Sequence, residues 1–245
     1  MQNSVANNIQ AIQRIFRDVQ ENFPETYNLQ TLAEKLDTYE VKFRSIAYEA
    51  ASFCIALKDI DTFGNLHNWK FFLNEIGKPH ATQIHVGLGW ALAQKQIEPA
   101  IYLTQLEPAL RYRVLDGYGY YEGVFRKRKS VLGMQKFETK DTAAVIAYDQ
   151  GLGRCLWYGC MGEIDEAKIV IEKFPAERQK DLWRGLGIAI AYVGGFSERK
   201  VEDILQKAAT HKIDLAEGAS RALHSRKESG CGSEDTELFF RIANS

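Results

Sequence analysis

The chain predicts an all-α fold built from repeated helix pairs of about 34 residues, forming an α-solenoid or a closed α/α array. Three observations carry that expectation. Only 5 prolines occur in 245 residues, and Ala and Leu are frequent while Val/Thr alternation is scarce, a composition that favours helix over strand. Six short segments share a pattern of small residues: EAASFCIA (49–56), VGLGWALA (86–93), DGYGYYEG (116–123), QGLGRCLW (150–157), RGLGIAIA (184–191) and EGASRALH (217–224). Taking the second residue of each as an anchor gives Ala50, Gly87, Gly117, Gly151, Gly185 and Gly218, separated by 37, 30, 34, 34 and 33 residues. Two helices of ~12 residues with two turns fill such a period.

The elements follow in order as parts of one domain, 1–245. Residues 1–40 are expected to hold N-terminal capping helices, because Ile9, Ile12, Phe16, Val19 and Phe23 form one apolar stripe. Residues 44–225 carry the repeats. Within each anchor segment the residue two places on is Ser or Gly (Ser52, Gly89, Gly119, Gly153, Gly187, Ser220). Small side chains at that spacing let neighbouring helices approach closely, which can outweigh the ~1 kcal/mol that glycine costs inside a helix. Five places after the anchor the column reads Ile55, Leu92, Glu122, Leu156, Ile190 and Leu223, apolar except at Glu122. Between anchors, GEIDEAKIVIEKF (162–174) has the periodicity of a second helix, and Pro108 and Pro175 suit the first turn of the helix that follows each. Residues 230–245 are expected to form a loop, an N-cap at Ser233 and a short closing helix.

Charge and composition exclude several classes. With 31 basic and 32 acidic residues the chain lacks the global positive field of a nucleic-acid binder. Its longest apolar runs, such as GLGIAIAYVGGF (185–196), fall short of the ~20 residues of a membrane span. MQNSVANNIQ has no basic segment followed by an apolar core, so a cytoplasmic location is expected. The 4 cysteines form no CxxC pair, and no His spacing of a metal site is present, so neither metal nor cofactor is expected. The glycine segments are not phosphate loops, because they recur in every repeat and lack a strand–loop–helix context.

HVGLGWALA (85–93), LDGYGYYEGVF (115–125), DQGLGRCLWYG (149–159) and FPAERQKDLWRGLGIAIAYVGG (174–195) resemble the domain-of-unknown-function family 1702 in motif and order, over residues 44–225. Tyrosine stands in GYGYYEG where the resemblance leads one to expect histidine, and the N-terminal region is shorter. What the resemblance implies is a role in specialised metabolism, since such proteins accompany enediyne and other polyketide biosynthesis. It carries over no catalytic residue.

Chemistry is sought where residues depart from the repeat. Glu122 would place a carboxylate in an apolar layer, where desolvation makes a proton donor; the competing reading pairs it with Arg126 one turn later. Asp116 and Asp149 join it as candidate catalytic groups; Asp116 and Asp149, like Glu217, equally suit helix N-termini. Tyr118, Tyr120, Tyr121, Trp90, Trp157, Trp183, His85 and Glu49 are candidates for binding substrate, through aromatic faces that also stabilise cations, although aromatics at helical spacing equally form core. The run Arg126, Lys127, Arg128, Lys129 is either a solvated face or a docking site for an acidic carrier protein. Two functions result. One is an enzyme with an aromatic-lined apolar cavity that cyclises or isomerises a polyene, isoprenoid or polyketide-type substrate by acid–base chemistry. The other is a non-catalytic helical scaffold that binds a biosynthetic partner such as a carrier protein or synthase.

Overall fold

The computed structural model describes residues 4–245, so the first three residues of the expected capping region lie outside the described residues. Thirteen α-helices and no strand are found among the described residues. Helix α1 spans Ser4–Glu21, α2 Leu29–Leu36, α3 Val41–Phe63, α4 His67–Phe71, α5 Ala81–Lys95, α6 Ala100–Leu103 and α7 Arg113–Phe125. They are followed by α8 Thr142–Gly159, α9 Ile164–Ile171, α10 Ala176–Val193, α11 Glu198–Ala208, α12 Lys212–Glu228 and α13 Glu234–Ala243. None of these helices is long and apolar enough to cross a membrane.

The six anchor segments lie on α3, α5, α7, α8, α10 and α12, and these helices pack against one another in chain order. Glycine explains how closely. A Cβ added to Gly117 would strike the carbonyl oxygen of Val86, and at Gly151, Gly185 and Gly218 it would strike those of Asp116, Gln150 and Arg184. Each obstructing residue stands just before the anchor of the preceding helix. The second small residue does the same in the forward direction: Gly89, Gly119, Gly153 and Gly187 lie on the carbonyls of Val114, Tyr148, Leu182 and Leu215. Ser52 fills that position in α3, and its Oγ donates to the carbonyl of Ile84 at 2.6 Å. Equivalent residues thus make equivalent contacts from one helix to the next.

The first and last anchor helices also meet. Arg226 of α12 donates from Nη1 to the carbonyl of Lys42 in α3 at 2.6 Å, and Ser225 donates to Gln83 Oε1 in α5 at 2.9 Å. One small void touches all six anchor helices, so they surround a common interior. Helix α1 crosses one end of that interior. It buries Ile9, Ile12 and Val19, sets Phe16 against Trp90 at 4.6 Å between ring centroids, and anchors Asn8 to the carbonyl of Val193 at 2.9 Å.

Several local expectations are refined. Phe23 lies beyond the end of α1, in the turn towards α2. Pro175 occupies the cap before α10. Pro108 lies in turns five residues ahead of α7 rather than in its first turn, because 107–112 close through isolated turn hydrogen bonds before the helix begins. Ser233 takes the N-cap backbone position of α13 without a side-chain cap bond.

If backbone approach at these glycines holds the helices together, Gly153→Ala is expected to destabilise the protein by about 1–3 kcal/mol through overpacking against Leu182. Gly159→Ala, in the same helix with open space around it, should be neutral or stabilise by up to about 1 kcal/mol. Urea unfolding of both variants checks the contrast.

Candidate functional site

Helix periodicity fixes which side chains reach the interior. Residues one place before, three after and seven after each anchor lie on one helix face. Along that face the chain places Glu49 and Asp116, then Trp90, Tyr120, Arg154, Ile188 and Arg221, then Val124, Tyr158, Tyr192 and Ser225. All of them line one of two adjoining cavities.

The larger cavity, about 530 Å³, lies between α1 and the anchor helices. That volume is within the ~300–1,000 Å³ of small-molecule sites. Its walls are mainly apolar: Ile12, Phe16, Trp90, Tyr120, Val131 and Leu156, with Phe125 and Val124 exposed at the rim. Aromatic rings form a continuous wall, Trp90 lying 5.1 Å from Tyr120 and Tyr120 5.6 Å from Tyr158 between centroids. The guanidinium of Arg154 sits over the Tyr120 ring at 5.2 Å, an arrangement in which the aromatic face stabilises the cation. Trp90 Nε1 is buried without a hydrogen-bond partner.

The smaller void is where charged side chains gather, and it continues from the same wall, sharing Ile46, Arg154 and Tyr158 with the larger cavity. Asp116 Oδ1 accepts from Arg154 Nη1 at 2.7 Å, and Arg113 lies 3.8 Å from Asp116 Oδ2. Arg221 reaches across from α12 to Gln150 Oε1 at 2.6 Å. Burial works to discharge Arg154, but Asp116 and Glu49 outweigh it and hold the cation.

Glu49 is the chemically distinctive group. It lines the larger cavity, is 4 % exposed, and its Oε2 has no hydrogen-bond partner. Burial pushes its pKa up, Arg154 pulls it partly back and Asp116 raises it again, leaving it at about 7. A carboxyl poised near neutrality can give or take a proton at working pH. Burial raises the phenols of Tyr120 and Tyr158, so both act as neutral hydroxyls.

The other sequence candidates divide clearly. Trp90, Tyr120, Glu49 and Asp116 face the interior. Glu122 is buried, as its column requires, but its carboxylate pairs with Arg126 and lines neither cavity. Asp149 is held in a two-pronged pair by Arg178, at 2.9 Å from Nε and 2.5 Å from Nη2. Arg178 also binds the carbonyl of Met134 at 2.6 Å, so the pair ties α8 and α10 to the 134–135 loop. Tyr118 packs on Phe137 and Tyr148, and Tyr121 on Trp90 and Phe125. Trp157 and Trp183 are core, the latter stacked on His211 at 5.5 Å. His85 is buried, with Nδ1 against the carbonyl of Ala81 at 2.7 Å, and desolvation lowers its pKa. Lys127 reaches the rim of the larger cavity, while Arg128 and Lys129 are exposed.

Arg154, Arg221 and Tyr192 were not singled out by the sequence reading. The signal was present: they stand three, three and seven places after an anchor, on the face already occupied by Glu49 and Asp116.

The chain belongs to the family described as protein of unknown function (DUF1702), whose model matches residues 2–244. The match extends the resemblance through α1 and α13, which bury Ile9 and Phe239. No curated protein and no solved structure matches the chain.

Because the folded pKa of Glu49 lies above its ordinary value of 4.5, the unfolded chain releases this proton first. The stability Glu49 contributes is therefore full below about pH 4.5 and is lost as pH rises through about 7, a span of about 3 kcal/mol. The stability of the wild type relative to Glu49→Gln should fall by that order between pH 4.5 and 8. Urea titrations across this range check it, and a flat difference would show equal pKa values in both states.

Proposed function

We propose that the protein binds an apolar, unsaturated small molecule of polyene, isoprenoid or polyketide type in its larger cavity and cyclises or isomerises it by acid–base chemistry. The observation that carries this reading is Glu49, a buried carboxyl without a partner that faces an aromatic-lined space. In this reading Glu49 takes the proton-transfer role, and Glu122 is a helix-end ion pair. Trp90, Tyr120 and Tyr158 shape the substrate and stabilise positive charge developing on it. Arg154, held by Asp116, sets the protonation of Glu49.

The six anchor helices are read as a closed α/α array of repeats, since their glycine contacts recur at equivalent positions. A place in specialised metabolism accords with the family resemblance. A scaffold role, docking an acidic carrier protein or a synthase, is favoured by one observation: Arg128 and Lys129 are exposed beside Phe125 and Leu132, which are 61 % and 65 % exposed.

The test is native mass spectrometry of protein purified from its own host, followed by organic extraction. It compares the wild type with Glu49→Gln and Glu122→Gln. An apolar metabolite should co-purify, and Glu49→Gln should shift its isomer ratio and slow conversion about 100-fold or more, with little effect from Glu122→Gln. Protein partners alone, with neither substitution changing anything, would replace the enzyme by the scaffold.

A further inference from the structure

The wall of the small void carries more positive than negative side chains. Arg113, Arg154 and Arg221 face the small void from α7, α8 and α12. Asp116 is the one carboxylate on its wall, and Glu228 lies near enough to Arg113 to act on its charge. Glu49 stands on the other side of Arg154. Asp116 accepts one close hydrogen bond, from Arg154, and Arg113 is 3.8 Å away. Arg221 binds only the neutral amide of Gln150 among its hydrogen bonds. Three guanidiniums therefore converge with donors to spare: Arg154 is buried, Arg113 is half-buried and Arg221 is exposed at the mouth, and the buried Arg154 carries the low-dielectric gain in attraction for an anion.

We propose that this end of the interior binds the anionic head of the small molecule whose apolar part fills the larger cavity, a carboxylate held by Arg154, Arg113 and Arg221. The inference rests on the cavity reading above and names its substrate class as an amphipathic acid. Continuity supports one ligand in both spaces, because Ile46, Arg154 and Tyr158 wall each of them. Size favours a compact head. The void of about 20 Å³ is little more than the ~10–15 Å³ of one water, so it admits about one oxygen of a head group, with the rest of the head at its mouth. Planar guanidiniums match a carboxylate in two-point geometry. Arg17 and Lys127, the cations on the larger cavity, are exposed as Arg221 is, and an exposed cation alone holds an anion weakly, so the buried Arg154 beside Arg113 and Arg221 is what sets the small void apart.

Calorimetric titration with dodecanoate, dodecyl phosphate and dodecanol tests the inference on the full chain. Dodecanoate should bind at least 10-fold more tightly than dodecanol. Arg113→Gln/Arg221→Gln should remove that advantage while leaving dodecanol binding unchanged, whereas Arg17→Gln/Lys127→Gln should leave both unchanged. Circular dichroism of each variant verifies folding. Stronger binding of dodecyl phosphate, lost in the same Arg113/Arg221 variant, would retain the anion site and overturn the carboxylate assignment. Equal binding of acid and alcohol would overturn the anion site while leaving the apolar cavity intact. Binding of none of the three would overturn both.

Discussion

Contact between a glycine and a neighbouring helix's peptide carbonyl is the constraint on which this structure depends. Gly117 against Val86, Gly151 against Asp116 and Gly185 against Gln150 are the same contact made three times. A methyl group at any of them would overlap the facing backbone, so the helices approach as nearly as two peptide chains can. Glycine inside a helix is unfavourable by about 1 kcal/mol relative to alanine, and the gain has to come from packing on both sides. Because lateral contact is made by backbone, side chains of the anchor helices are directed inward to the shared interior or outward to the supporting helices.

That division determines the electrostatics. A carboxyl on the inward face loses water without gaining a partner unless another inward residue supplies one. Asp116 gains Arg154. Glu49 is left with an unpartnered oxygen, and desolvation dominates its titration. Glu122 illustrates the opposite outcome: it lies within a buried column near the end of α7, where Arg126 can reach it from one turn later. Burial alone does not make a proton donor. What matters is whether a cation lies within reach of the buried oxygen and whether the group faces usable space.

The all-helical class and the close packing of neighbouring anchor helices were legible because small residues at a constant period have one cheap explanation, close helix packing. The anchor columns map directly onto contacts, down to Ser52 replacing glycine by donating to the carbonyl it approaches. The site was legible in part. Glu49 and Asp116, and the aromatic candidates Trp90 and Tyr120, line the two cavities, whereas Glu122, chosen for breaking its apolar column, lines neither. A polar residue in an apolar column signals burial, and the sequence alone does not reveal that the neighbouring Arg126 satisfies it. Asp149 is likewise paired with a cation that local sequence does not reveal: Arg178 comes from the next anchor helix, 29 residues away. Arg154 and Arg221 share a column with Trp90 and Tyr120, and their mixed chemistry concealed a common direction.

The central claim is that the interior keeps Glu49 as a neutral acid beside a charged arginine. Infrared difference spectroscopy across a pH titration tests this directly. The account predicts a carbonyl stretch of a protonated carboxylic acid that persists at pH 6, titrates near pH 7 and is absent from Glu49→Gln. A wild-type spectrum at pH 6 without that band, or one that survives the substitution, would contradict it.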